Sequence, residues 1–238
     1  MIDSMGNARS LIIIGTQLNL TPVLISKFIR ASTSRVVLIT AVDETNPAAH
    51  PGAQLQDLDA VVAHARGQGA TNLEVRKYQP GNVAELEQQI SEAFAVGDID
   101  LAITTTTSQY AAPRLGSREA PFDSLSIAKA TQTFTEGLVM LRQLANCMAS
   151  QGSGHLVALT DAETLDDHPI AEAASTVGID SYAQSLGETA KSHGVRVIRA
   201  RASRVGLMQK PTSPQDLAIA ISEALLKKRK NTVKVIAD

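Results

Sequence analysis

The chain contains one cysteine, no tryptophan and few aromatic residues, with three tyrosines and four phenylalanines among 238 residues. A single cysteine excludes a disulfide framework and any zinc site built from several cysteines, and it is typical of a reducing compartment. We therefore expect a cytoplasmic protein. Because aromatic residues make up 3% of the chain, we do not expect a site that recognises its ligand by aromatic stacking.

Long apolar runs and an excess of one charge are also missing. No apolar run approaches the ~20 residues that a membrane-spanning helix needs, so we expect no integral membrane segment. No signal-peptide pattern precedes Leu11, because the short segment before it carries Asp3 and Arg9. With 22 basic and 24 acidic residues, the chain has no electrostatic reason to bind nucleic acid as its main partner.

Short apolar runs rich in β-branched residues alternate with six longer segments of helical period. Some of these runs, such as Leu11–Ile14, are apolar throughout, which is typical of strands covered on both faces. This alternation predicts an α/β fold: a three-layer, doubly wound (Rossmann-like) parallel sheet of about seven strands, in one domain over residues 1–238. The predicted strands are Ser10–Gly15, Arg35–Thr40, Asn72–Tyr78, Leu101–Thr106, His155–Leu159, Val195–Ala200 and Val233–Ile236.

Three sequence patterns predict where helices begin. Thr21 and Ser213 each precede a proline, which places a capping hydroxyl before a proline at the first helical position. Asn82 followed by Glu85 resembles a capping box.

The turn after the first predicted strand is the first candidate for function. In an open α/β sheet, ligands bind at the carboxyl ends of the strands, near the switch in strand order. A dinucleotide-binding turn needs small residues where Asn19 and Thr21 stand, and only Gly15 is present; Pro22 also removes one N–H donor from the helix start. Two interpretations remain open, an unusual nucleotide loop and an ordinary strand-to-helix turn.

The chain resembles a short-chain dehydrogenase/reductase over nearly its whole length. The resemblance is carried by the order of elements, the Gly15 turn, the segment Gly97–Ile103 and the sixth predicted strand with Gly194–Val197. Within that family it is similar to the decaprenylphosphoryl-2-keto-ribose reductases, through Met5–Leu11 and Gly97–Ile103. The resemblance implies a Rossmann-like fold and reduction of a carbonyl by NAD(P).

The resemblance also assigns positions to the family's catalytic residues. The active tyrosine and lysine lie four residues apart on the helix after the fifth strand, and counting back from Gly194 puts them at Glu172 and Thr176. The family's serine falls on Thr160 or Asp161. A tyrosine whose pKa is lowered by a lysine can give a proton to a carbonyl as hydride arrives. Glu172 would have to be protonated to do so, and Thr176 supplies no positive charge, whereas Thr160 retains a hydroxyl donor.

Cofactor-binding positions carry over in the same way. Gly15, Asn19 and Thr21 occupy the glycine-loop positions, and Thr105 lies in the four-threonine segment that replaces the family's Asn-Asn-Ala-Gly-type turn. Asp43 follows the second strand, where a carboxylate would bind an adenosine ribose, but the simpler interpretation is the start of a solvent-exposed loop that leads into Asn46 and Pro47.

These replacements lead to three hypotheses. The first is a non-catalytic (pseudoenzyme) member of the reductase fold, acting as a scaffold or regulatory subunit, with no cofactor. The second is an NAD(P)-dependent oxidoreductase that acts on a keto-sugar or other carbonyl with a reassigned site, using Glu172, Thr160 or Asp161. The third is a binding module that senses a nucleotide or a lipid-linked sugar. We expect no metal, because the acidic segment from Asp161 to His168 is more simply an ordinary loop than a site for a hard cation.

Two predicted helices offer a surface for association. Residues 124–151 and 170–193 carry many small and apolar side chains, which let another helix approach closely. In the family that the chain resembles, these two helices form a four-helix interface with a second subunit. We therefore expect a homo- or hetero-oligomer, the alternative being that both helices only cover the sheet.

Overall fold

The computed structural model describes residues 2–4, 6–15, 20–29, 35–42, 55–70, 72–105, 124–161, 170–202, 213–227 and 232–235. Strands and helices alternate along these residues. In chain order they are β1 (Ser10–Ile14), α1 (Thr21–Phe28), β2 (Arg35–Ala41), α2 (Leu55–Gly67), β3 (Asn72–Tyr78), α3 (Val83–Val96), β4 (Leu101–Thr105), α4 (Ser124–Gln151), β5 (Gly154–Asp161), α5 (Ile170–Ala190), a 3₁₀ turn (Lys191–His193), β6 (Val195–Ala202), α6 (Pro214–Leu226) and β7 (Thr232–Val235).

The seven strands form one sheet in the order β3-β2-β1-β4-β5-β6-β7, and every neighbouring pair is parallel. The predicted fold class is therefore confirmed. Three strands end later than the sequence predicted: β2 continues past Thr40 to Ala41, and the larger extensions are those of β5 past Leu159 to Asp161 and of β6 past Ala200 to Ala202. The added residues of β5 and β6 pair with each other, Thr160 with Arg201 and Asp161 with Ala202.

Two hydrophobic cores lie on opposite faces of the sheet. Because successive side chains of a strand point to opposite faces, Leu11 and Ile13 of β1 enter one core, and Ile12 and Ile14 enter the other. The first core is closed by α1, α2 and α6, and the second by α3, α4 and α5. All of β1 is buried, which explains why its sequence is an unbroken apolar run. Burial of each such Leu or Ile side chain contributes about 1.5–3 kcal/mol relative to exposure.

Two of the three predicted helix starts are confirmed. Asn82 caps α3 by accepting a hydrogen bond from the Glu85 backbone N–H at 3.2 Å, and Ser213 caps α6 by accepting one from the Gln215 N–H at 3.2 Å. The prediction for Thr21 is wrong. Thr21 is the first residue of α1 and is fully buried, while Leu20 precedes the helix without any side-chain cap.

Arg196 of β6 holds the carboxyl end of α6 against the sheet. Its Nη1 donates to the carbonyl oxygen of Leu225 at 3.1 Å, and its Nη2 donates to that of Lys227 at 2.8 Å. A guanidinium at this position satisfies two carbonyl groups that the helix itself leaves unpaired.

Within the described ranges, none of the helices is both long enough and apolar enough to cross a bilayer.

Candidate functional site

The carboxyl ends of the strands lie along one edge of the sheet. The strand order changes direction between β1 and β4, which pair with Ile14 opposite Thr104. This switch is where open α/β sheets bind ligands, because the crossovers leave the sheet to opposite faces and open a crevice. The candidate site therefore comprises the ends of β1, β4, β5 and β6.

Gly15 ends β1 in close contact with the end of β4. Its φ of +84° is a left-handed conformation that favours glycine, and its N–H donates to the Ile39 carbonyl oxygen at 3.0 Å. A Cβ added here would lie 2.5 Å from both the carbonyl oxygen and Oγ1 of Thr105. The Thr105 hydroxyl in turn donates to the Gly15 carbonyl oxygen and contacts that of Ile14 at 3.3 Å. The space beside this glycine is occupied by the protein's own threonine.

The remaining glycine-loop positions differ in how far the structure describes them. Thr21 is fully buried, so its side chain fills the space at the start of α1 where a glycine would allow closer packing. Pro22 follows it and lacks an N–H, which removes one donor that an anion at a helix start would use. Asn19 and Asp43 lie outside the described residues. The described part of this turn therefore does not fit the donor arrangement that a dinucleotide pyrophosphate requires.

Thr160 lies near the end of β5 with its side chain inside the protein. The residue is 1% exposed, and its Oγ1 has no hydrogen-bond partner among the residues that the structure describes. A buried hydroxyl without a partner costs about 1–3 kcal/mol, so such groups are rare unless something else binds them. Asp161, the other candidate for the family's serine position, is the last residue of β5, and only its backbone is described.

Glu172 and Thr176 both lie on α5, in the first two turns of the helix after β5. Positions four apart share one face of a helix, so the backbone has the arrangement that the resemblance requires for a tyrosine and a lysine. Thr176 is half-buried, and its neighbour Ser175 donates a buried hydrogen bond to the Ala130 carbonyl oxygen at 2.8 Å. Of Glu172 only the backbone is described. The structure brings Thr160 and Asp161 to the same edge of the sheet as Gly15 and Thr105.

The sequence analysis missed a charged cluster between α5 and β6. Asp180 is 4% exposed and accepts hydrogen bonds from Arg199 Nη1 at 3.0 Å and from Arg201 Nε at 3.0 Å, and it also pairs with Arg201 Nη2. Gln184 accepts a further bond from Arg199 Nη1 at 3.0 Å. The hydrogen bonds to Asp180 raise the pKa of Arg201 above its usual value. The sequence did carry a signal for this cluster: Arg199 and Arg201 lie two residues apart in a strand that is apolar except for its three arginines, so their side chains share one face of the sheet.

A second buried polar pair was also missed, at the end of β3. The Tyr78 hydroxyl donates to Glu136 Oε2 of α4 at 3.0 Å. The other oxygen of Glu136 accepts from the Gly81 N–H at 2.6 Å and from Gln132 Nε2 at 2.9 Å. Burial, and after it the charge of Glu136, raises the pKa of Tyr78 well above 10. This pair ties the turn after β3 to α4, and nothing in its geometry points to a ligand.

No group of metal-ligating side chains is present among the residues that the structure describes. Most of the acidic segment between β5 and α5, with Glu163, Asp166, Asp167 and His168, lies outside them.

Known proteins similar to this chain are oxidoreductases, although no family model matches the sequence. An uncharacterized oxidoreductase from Streptomyces coelicolor is 26% identical over 236 residues, covering 94% of this chain and 86% of its own. Among solved structures, a short-chain dehydrogenase from Rhodopseudomonas palustris superposes with a TM-score of 0.72 at 14% identity, over 96% of this chain and 98% of its own. A metagenomic short-chain oxidoreductase in complex with NADP superposes with a TM-score of 0.69 at 15% identity, over 99% and 98%.

These likenesses show that the chain has the fold of the short-chain dehydrogenases/reductases, and they support the resemblance to that family over nearly the whole chain. The three relatives give no support to the narrower resemblance to the decaprenylphosphoryl-2-keto-ribose reductases, which stays a prediction.

Proposed function

We propose that this protein is a non-catalytic member of the short-chain dehydrogenase/reductase family, a single domain over residues 1–238 that acts as a scaffold or regulatory subunit. The observation that carries the proposal is the identity of two residues on α5. Positions 172 and 176, four apart on the helix after β5, hold a glutamate and a threonine where the family's chemistry needs a tyrosine and a lysine.

The chemical reason lies in proton donation. Reduction of a carbonyl by hydride needs an acid that gives up its proton near neutral pH, and a tyrosine does so only when a neighbouring cation lowers its pKa. A glutamate carboxylate at position 172 is ionised at neutral pH unless its surroundings protonate it, and Thr176 brings no positive charge to a partner or to a nicotinamide ribose. These substitutions remove the proton donor and the cation together.

The turn after β1 supports the same proposal. Gly15 is closed against Thr105, and the buried Thr21 and the following Pro22 replace the small residue and the donor that a pyrophosphate would approach. The substitutions in the turn and those on α5 are independent of each other. Loss of the reaction as a whole explains both sets more simply than a change in one catalytic step does.

We propose further that the protein associates with a second subunit of the same fold through α4 and α5. Ile127 of α4 is 57% exposed and Val177 of α5 is 60% exposed, so a second subunit packed on these helices would bury two large apolar side chains. Part of the small-residue pattern is explained within the chain: Gly178 lies against the Phe134 ring and Gly187 against Val197. The proposal therefore depends on the outward residues, Ile127 and Val177, and not on the glycines.

Cofactor titration tests the loss of catalysis. We expect NAD, NADP and their reduced forms to leave the unfolding temperature unchanged up to about 1 mM, whereas a ligand at 100 times its Kd would stabilise the fold by about 2.7 kcal/mol. A clear shift at sub-millimolar cofactor would contradict the proposal. In the double variant Glu172→Tyr with Thr176→Lys, continued failure to bind would locate the defect in the Gly15–Thr21 turn.

Light scattering coupled to gel filtration tests the association. We expect the wild-type chain to be a dimer and Val177→Lys to shift it toward monomer. Val96→Lys is the matched control, because Val96 is 67% exposed but lies on α3. A wild-type protein that stays monomeric at tens of micromolar, alone and with a catalytically intact relative, would contradict this part of the proposal.

A second candidate function is an NAD(P)-dependent oxidoreductase with a reassigned site, acting on a keto-sugar or other carbonyl. The unpartnered hydroxyl of Thr160, one of the two candidates for the family's serine position, favours it, because a carbonyl or oxyanion would satisfy that donor. A similar fold that binds NADP is also consistent with it. Oxidation of NADPH in the presence of keto-sugars, abolished by Thr160→Val, is the expected result under this alternative.

A further inference from the structure

Thr160 and Arg201 are neighbours across β5 and β6, close to the carboxyl edge of the sheet. They are register partners, and register partners on these strands share a face, as Leu156 and Val197 do in the core under α5. Adjacent strands are about 4.8 Å apart, so the hydroxyl and the arginine side chain start from neighbouring points on the same face. Thr160 thus contributes an unpartnered, buried hydroxyl beside a cationic side chain.

Asp180 is shared by two cations. This one carboxylate, 6% exposed at its side chain, pairs with the guanidinium groups of both Arg199 and Arg201. Because neither guanidinium has the carboxylate to itself, Arg201 keeps part of its capacity to attract an anion, and charges in a partly buried setting are poorly screened.

The two arginines differ in how open they are. The Arg199 side chain is 18% exposed and lies deeper in the strand, whereas that of Arg201 is 39% exposed. Arg201 uses Nε and Nη2 on Asp180, which leaves Nη1 without a partner among the residues that the structure describes. Asp180 therefore fixes the guanidinium plane and leaves the two N–H donors of Arg201 Nη1 available at the edge of the sheet.

We propose that Arg201 and Thr160 form a binding site for an anionic oxygen group, a phosphate or a carboxylate, carried by a ligand in the crevice at the carboxyl edge. A guanidinium held in place by a buried carboxylate has donors only, and a hydroxyl beside it can donate as well, so the pair suits an anionic oxygen rather than a cation. Charge-assisted hydrogen bonds to phosphate or carboxylate are the strong kind, and holding the donors in advance reduces the entropy lost on binding.

This inference rests on the proposed function for the location of the crevice, but it does not depend on the loss of hydride transfer. The competing occupant is part of the chain itself. The segment after β5 contains Glu163, Asp166 and Asp167, and one of these carboxylates could fill the same position. The experiment therefore has to separate an external anion from an internal carboxylate.

The test is thermal unfolding of the full chain in increasing inorganic phosphate, with chloride adjusted to keep the ionic strength constant. We expect a saturable rise in unfolding temperature for the wild type. Arg201→Gln removes the charge and should raise the apparent Kd for phosphate by about ten-fold or more, while Thr160→Val removes one hydrogen bond and should raise it by about three- to ten-fold. Sodium acetate in place of phosphate shows whether a carboxylate is also bound.

Arg196→Gln is the matched control. Arg196 lies on the same strand but holds the end of α6, so its loss should lower stability and leave the phosphate response intact.

A wild type with no saturable response to phosphate would overturn the proposal, as would equal phosphate responses from Arg201→Gln and Arg196→Gln. So would phosphate binding seen only after Glu163→Gln, Asp166→Asn and Asp167→Asn are combined, because the occupant would then be internal. NADPH oxidation measured separately reports on the proposed function alone, so the two can fail independently.

Discussion

Gly15 and Thr105 lie next to each other at the switch in strand order, between the ends of β1 and β4. They are so close that no side chain fits on Gly15. A Cβ at Gly15 would lie 2.5 Å from Thr105 Oγ1 and from the Thr105 carbonyl oxygen. Part of this contact is backbone, so a shorter side chain at position 105 relieves only the clash with Oγ1. The turn after β1 is therefore determined by β4, its neighbour in space, rather than by the residues that follow it in sequence.

Gly15→Ala should destabilise the protein strongly. The left-handed φ and the clash with Thr105 each cost about 1–3 kcal/mol, so we expect a loss of about 3 kcal/mol in the free energy of unfolding, measured by urea denaturation. Gly67→Ala is the control, because nothing lies within 4 Å of a Cβ added there, at the end of α2. The control should change stability by less than about 1 kcal/mol, in the stabilising direction. Equal effects of the two substitutions would disprove the contact.

Asp180→Asn should also be costly, because it leaves two guanidinium groups side by side without their carboxylate. Since Arg201 is partly exposed, we expect about 2–3 kcal/mol, below the range for fully buried pairs. The matched control is Glu223→Gln, which breaks an exposed ion pair with Lys227 on α6 and should cost no more than about 0.5 kcal/mol. If denaturant unfolding showed Asp180→Asn to be as mild as this control, the cluster would not be a stabilising element.

Tyr78→Phe should change the dependence of stability on alkaline pH. The pKa of Tyr78 is raised in the folded protein, so its stabilising effect is complete below the unfolded tyrosine pKa of about 10 and is lost as the pH rises through the folded pKa. At neutral pH the variant should lose about 1–2 kcal/mol, because Glu136 loses a donor.

Above pH 10 the wild type should lose stability faster than Tyr78→Phe. Tyr182→Phe, which removes the hydroxyl of a half-buried tyrosine of α5, serves as the control for loss of a tyrosine elsewhere in the fold. Parallel curves for wild type and Tyr78→Phe between pH 9 and 11 would rule out this role for the pair.

Cys147 should react slowly with thiol reagents. Burial raises the pKa of this half-buried thiol on α4, which lowers the thiolate fraction at any given pH. We expect the rate of modification to rise with pH along a curve displaced to higher pH than that of a free cysteine, which titrates at about 8.5. The folded protein is compared with the same protein in urea, and identical pH profiles in the two states would contradict the prediction.

The pattern of apolar residues was sufficient to predict the parallel sheet. Both faces of β1 are buried, and a strand covered on both faces is apolar throughout, as Leu11–Ile14 is. The ends of the strands could not be predicted beyond their apolar residues. β5 and β6 continue through Thr160 and Arg201, whose polar side chains are typical of loops.

Counting back from Gly194 correctly placed Glu172 and Thr176 on one helix, because Gly194 is close to them in the sequence. Asp180 escaped notice because its partners are on another element, and helix period alone does not distinguish a buried carboxylate from an exposed one.

The shared carboxylate at Asp180 has a consequence for which mutations this chain can tolerate. Loss of Arg199 leaves Asp180 paired with Arg201 alone, so the carboxylate keeps a cation. Loss of Asp180 leaves two guanidinium groups together without the carboxylate that they share. We therefore expect substitution of the helix acid to be tolerated less well than substitution of Arg199.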